Sequence, residues 1–116
     1  MRHRKNITKL SRTSSVRKAL LENLATSIIL YEKVITTEAK AKAVRPFVER
    51  QITRGKVKSI HNKQILSGIL PDKKAVQKVL GVLGPKYKDR KGGYCRIIKI
   101  SPRSGDGALL AQIELV

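Results

Sequence analysis

The chain has 116 residues, of which 26 are Lys or Arg and 8 are Asp or Glu, giving a formal charge of +18. Its single cysteine, Cys95, excludes an internal disulfide framework and a thiolate metal cluster. The longest run without a charged residue, Asn23 to Tyr31, is about half of what a membrane-spanning helix needs.

The first eighteen residues, MRHRKNITKLSRTSSVRK, hold seven Lys or Arg and no acid. Ile7, Leu10 and Val16 are too sparse to anchor a packed segment, so residues 1–13 read as an extended basic arm ordered by its partner. This acid-free, Arg- and Ser-rich start superficially resembles a mitochondrial presequence, but the apolar pattern after it belongs to a folded domain over 14–116. Ser14 and Ser15 are expected to cap a first helix with their hydroxyls. Its apolar stripe is Val16, Leu20, Leu24 and Ile28, widened by Leu21, Ala25 and Ile29.

Val34-Ile35-Thr36-Thr37 is a short β-branched strand. Thr36 or Thr37 then caps a second helix that buries Ala41, Val44, Val48 and Ile52 and carries Glu38 near its positive end. Pro46 should kink or divide it, and Gly55 offers an end. Residues 60–70 suggest a short helix closed by Pro71. Asp72 caps another, with Val76, Val79, Leu80 and Leu83 at i, i+3, i+4, i+7 spacing, and Gly84-Pro85 is expected to stop it. A basic loop, Pro85 to Gly93, leads into two strands, Tyr94 to Ser101 and Ala108 to Val116, joined by a turn-rich link. Leu, Ile and Val total 33, above the roughly 20% below which so charged a chain stays disordered. The expected fold is α+β: a small three-stranded mixed sheet packed on about four helices in two layers, with the arm in front.

No catalytic constellation is visible. The acids are scattered singly, without a close pair to divide acid and base roles. His3 and His61 have no second ligand at metal spacing, so no metal and no cofactor are expected. Cys95, inside a strand, reads as a small buried apolar group. Gly92-Gly93 leads into a strand and lacks a phosphate-loop pattern; it reads first as a turn, second as a backbone approach to a phosphate.

The charge implies a polyanion, because Lys and Arg on phosphates release condensed counterions. Only Tyr31, Phe47, Tyr87 and Tyr94 are aromatic, too few for a single-strand stacking platform, so a folded, phosphate-dense target fits better. Tyr87 and Tyr94 flank the basic loop, placed to stack on an unpaired base unless packing on the sheet claims them. The helix after Asp72 shows Lys73, Lys74, Gln77 and Lys78 outward and no arginine, which argues against specific DNA reading.

Four stretches then carry a family signature: MRHRK, KLSRTSSVRKALLENLATSIILYEKVITTEAKAKAVR from Lys9 to Arg45, GPKYKDRKGGYCRIIKI from Gly84 to Ile100, and RSGDGALLAQIELV from Arg103. In order and over the whole chain, they resemble the bacterial large-subunit ribosomal proteins numbered seventeen. Val16 stands where that family commonly has histidine, Cys95 replaces a small polar residue, and a usual proline is missing near Leu109. The resemblance implies a non-enzymatic, cytoplasmic large-subunit component that binds large-subunit rRNA. It also implies neighbouring ribosomal proteins near the tunnel exit, and neither a membrane nor specific DNA. By motif, Arg2, His3, Arg4 and Lys5 would thread into rRNA, with Lys9, Arg12, Arg17 and Lys18 along the base of the arm. Lys40, Lys42 and Arg45 would add contacts, and Lys86, Lys88, Arg90, Lys91, Arg96 and Arg103 would form the second cluster. Two rivals from other classes are an architectural DNA-binding protein and an RNA-processing enzyme.

Overall fold

A computed structural model describes Leu10 and residues 13–116. Helix α1 (Ser14–Tyr31) starts at Thr13, whose carbonyl accepts from the Arg17 amide at 2.8 Å. The N-cap is therefore one residue earlier than the serines, and no side chain caps it. Its inward stripe is Ala25, Thr26, Ile28 and Ile29, while Val16 is 52% exposed. Of the predicted stripe, Leu21 and Leu24 pack partly buried against the core, and Val16, in the first turn, stands clear of it. Glu32 ends α1 in a left-handed conformation, its amide donating to the Ile28 carbonyl.

Strand β1 (Lys33–Thr37) follows at once and hands over to α2 (Glu38–Gly55). Thr37 caps α2 by accepting from the Lys40 amide at 3.5 Å. Ala41, Val44, Val48, Ile52 and Gly55 recur along its buried side. Pro46 neither divides this helix nor ends it. It sits on the exposed side, where the missing amide hydrogen bond leaves carbonyls facing water rather than the core.

Helix α3 (Ile60–Ile69) is capped by Ser59 and drops Leu66 and Leu70 into the core. Asp72 caps α4 (Lys73–Lys78) through a 2.8 Å bond from the Lys74 amide. The sequence expectation that Gly84-Pro85 stops this helix is corrected here. The coil widens into a π-helical turn (Val79–Leu83), with the Gly84 amide donating to the Val79 carbonyl, and continues through Gly84–Lys86. A π turn shifts the register of the ladder by one residue, and Pro85 then occupies the start of a new turn, where its missing N–H leaves nothing unsatisfied.

Strands β2 (Cys95–Pro102) and β3 (Leu109–Leu115) complete a three-stranded sheet in the order β1-β3-β2. Both pairings are antiparallel, so the sheet is not mixed. The last strand returns from β2 through a short link and enters between β2 and β1, leaving no parallel pair. Val34 and Ile97 both face Ile113 across the ladder, and Cys95 faces Leu115. These residues form the inner face, covered by α2 and the helices behind it, while Ile35, Ile98 and Ile100 stay exposed.

Burial pushes the Cys95 thiol from its ordinary 9.0 up to about 12, with the charge of Glu49 adding and that of Arg45 opposing. The folded thiol keeps its proton where an unfolded one releases it, so this group favours unfolding progressively as pH rises above 9. With the thiol about three units weaker as an acid, iodoacetamide at pH 8 should alkylate folded Cys95 on the order of 10³-fold more slowly than denatured Cys95. A mass-spectrometric time course checks this, and equal rates would mean that Cys95 is not enclosed.

Candidate nucleic-acid interface

The described cations divide into paired and unpaired sets. Glu32 lies 3.7 Å from Lys78 and 3.9 Å from Lys86. Glu38 holds Lys42 at 2.9 Å and Lys99 at 3.7 Å, and the Lys42 hydrogen bond keeps its carboxyl below the usual range. Arg45 pairs with Glu49 at 3.6 Å, and Arg96 with Glu114 at 3.4 Å across β2 and β3. In the β2–β3 link, Arg103 donates from Nε to Asp106 at 3.1 Å and holds that carboxyl at about 2. These exposed pairs contribute little stability each. Their consequence is that most of the few acids already have a cation beside them.

Lys88, Arg90 and Lys91 have no ion pair among the described residues and are exposed. Their loop is nevertheless held firmly. Tyr94 donates its hydroxyl to the Arg90 carbonyl at 3.1 Å and shares a 3.0 Å bond with the Thr53 hydroxyl on α2. Lys56 also donates to the Arg90 carbonyl, with its ammonium 4.9 Å above the Tyr94 ring. Tyr87 donates to the Val116 carbonyl at 2.6 Å and packs on Tyr94 with ring centroids 4.9 Å apart. Both tyrosines are buried, 3% and 0% exposed, so neither presents a face to an unpaired base. They fix the loop instead, and Gly93 turns it toward β2 with a φ of +64°, where a side chain would be strained.

Of the residues predicted to bind, Arg2, His3, Arg4, Lys5, Lys9 and Arg12 lie outside the described residues. Arg17 and Lys18 occupy the first turns of α1, and Lys40, Lys42 and Arg45 the first half of α2. The second cluster is less unified than its spacing in sequence suggests. Lys88, Arg90 and Lys91 share the pinned loop, Lys86 turns toward Glu32, Arg96 lies along β2 and Arg103 in the hairpin link. The fold also sets Arg50 and Arg54, which sequence reasoning did not single out, beside Lys91, Gly92 and Gly93. Their i, i+4 spacing marks them as one face of α2, but only the fold brings that face to the loop.

Among the described residues no three His, Cys, Asp or Glu come together in a way that could hold a metal ion, and His61 is exposed on α3. No described helix is long and apolar enough to cross a membrane.

The family model for ribosomal protein L17 matches residues 20–116, nearly the whole of the described body. The chain belongs to the ribosomal protein L17 family. Its relatives include the large ribosomal subunit protein bL17 of Solibacter usitatus, 47% identical over all 116 residues and 77% of that protein. The bL17 of Gemmatimonas aurantiaca is 47% identical over the whole chain and 98% of its own length. That of an Exiguobacterium species is 49% identical over 94% of this chain and 97% of its own. L17 proteins are structural components of the ribosome, and this chain is accordingly a ribosomal protein and not an enzyme.

Proposed function

We propose that this L17 protein is a structural constituent of the large ribosomal subunit in the cytoplasm and binds large-subunit rRNA. In this reading a basic arm, residues 1–13, threads between RNA helices, and one α+β body, residues 14–116, docks on the RNA surface. Arg2, His3, Arg4, Lys5, Lys9, Arg12, Arg17 and Lys18 serve the arm and its base. Lys88, Arg90 and Lys91 lead the second contact, with Lys86, Arg96 and Arg103 around it and Lys40, Lys42 and Arg45 on α2. The observation that carries the reading is the pinned loop: three exposed cations without ion pairs among the described residues, on a backbone fixed by Tyr94 and Lys56. Such a loop supplies positive charge from a set backbone position, so binding costs side-chain ordering and little loop ordering. The paired cations exchange Glu or Asp for phosphate only where the RNA field outweighs a weak exposed pair. The resemblance supports neighbours among the large-subunit proteins near the tunnel exit.

Sedimentation of a cell lysate tests this. The protein should travel with the large subunit at moderate salt and stay with it when low magnesium separates the subunits. Recovery with the nucleoid, or in the free fraction at moderate salt, would overturn the assignment in favour of a DNA-binding or soluble role.

A further inference from the structure

Between the second half of α2 and the Gly92-Gly93 turn lies a recess of about 510 Å³, rimmed by Arg50, Arg54 and Lys91. Arg50 donates to the Pro46 carbonyl at 3.3 Å, and Arg54 to the Gln51 amide oxygen at 3.1 Å. Both partners are neutral, so they orient the guanidiniums without discharging them. Lys91 has no ion pair among the described residues. The acid in the wall, Glu49, has one carboxylate oxygen beside Arg45 and the other enclosed and without a hydrogen bond. On the other wall, a Cβ at Gly92 or Gly93 would meet nothing within 4 Å, so the turn leaves open space beside a bare backbone. Neither glycine amide donates a hydrogen bond within the described residues. Successive free amides beside a left-handed residue form an anion-binding concavity, and guanidiniums match phosphate oxygens bidentately.

We propose that this recess is a seat for one phosphodiester of the rRNA backbone, gripped by Arg50 and Arg54 from α2 and by Lys91 with the Gly92-Gly93 backbone from the loop. The volume exceeds that of a phosphate group, and Pro46 at the rim offers an apolar surface to the attached ribose. The inference rests on the rRNA-binding reading and adds to it a site built from two segments some 40 residues apart in sequence.

The test uses the full chain and a large-subunit rRNA transcript, with filter binding across a salt series and phosphate-ethylation interference. Arg50→Gln/Arg54→Gln should weaken binding about tenfold at moderate salt and lower the salt slope by about one to two. It should also erase the interference signal at one or two adjacent phosphates, and Lys91→Gln, from the opposite wall, should erase the same signal. Circular dichroism melts of Lys91→Gln should match the parent, since Lys91 is exposed, whereas the double variant loses the Arg54 bond to buried Gln51 and should melt a few degrees lower while staying folded at the assay temperature. If wild type binds and both variants keep its affinity, slope and interference pattern, the seat is wrong while the rRNA reading stands. If the two variants erase phosphates distant from one another, the two walls do not share a ligand and the seat is equally wrong. Wild type that fails to bind the transcript sinks the broader reading as well.

Discussion

Replacing Gly84 by Ala should destabilise the protein by about 3 kcal/mol, a fall in melting temperature of roughly 10 °C. Helix propensity alone predicts the opposite sign, because Ala in a helix interior is favoured over Gly by about 1 kcal/mol. The close approach of two helices reverses it. A Cβ on Gly84 would run into the Gly55 carbonyl oxygen and lie 3.1 Å from both the Gly55 carbonyl carbon and the Val79 oxygen. All three are backbone atoms, so no rotamer change relieves the clash, and the π turn or the end of α2 must move. Gly68→Ala is the internal control. It also lies in a helix, but its Cβ would meet nothing within 4 Å, so a gain of about 0.5–1 kcal/mol is expected. Urea denaturation of both variants checks the pair of signs. Equal effects at the two positions would mean that the Gly55–Gly84 contact is not a constraint.

That contact also explains where sequence reasoning stopped short. Short-range signals placed the helices well: Thr37 and Asp72 act as caps, and Ala41, Val44, Val48 and Ile52 form the predicted stripe. Each of these is decided within one or two turns of chain. Gly84-Pro85 reads locally as a stop, yet the coil continues because the Gly84 position is held against α2. The same limit applies to the sheet. Alternation along Ala108 to Val116 identifies a strand, but nothing in it says that β3 lies between β1 and β2. Strand order is a long-range property, settled by which faces must cover Ile113 and Ala111.

The proposed interface was legible as charge and illegible as geometry. Acid-free runs of Lys and Arg point to a polyanion wherever they fold. They do not separate Lys86, which turns to Glu32, from Lys88, Arg90 and Lys91, which find no acid among the described residues. Aromatic side chains were harder still, since Tyr87 and Tyr94 flank the basic loop in sequence but serve as its inner anchor. A hydroxyl bonded to backbone and a buried ring packed at a tilt against its neighbour leave no face for a base. In the proposed reading, the rigidity they confer is their contribution to binding.

Removing residues 1–9 should weaken rRNA binding on the order of 10²-fold at moderate salt and lower the salt slope by about three, while leaving the melting transition nearly unchanged. The segment contains Arg2, Arg4, Lys5 and Lys9 and no acid, so it is worth up to four phosphate contacts in counterion release. The cut preserves Leu10, and Thr13, whose carbonyl starts the α1 ladder. Every buried apolar residue of the described core lies at Ala25 or beyond, which is why little loss of fold stability is expected. Filter binding at several salt concentrations separates the two effects, because a folding defect would lower affinity at all salts alike, whereas lost phosphate contacts flatten the slope. An unchanged slope would show that the arm does not meet the RNA. A collapsed melting transition would show that it belongs to the core. The complementary change, Lys88→Gln/Arg90→Gln/Lys91→Gln, should flatten the slope further when combined with the truncation. Additivity of the two slope changes is the signature of two separate contacts, one from the arm and one from the pinned loop.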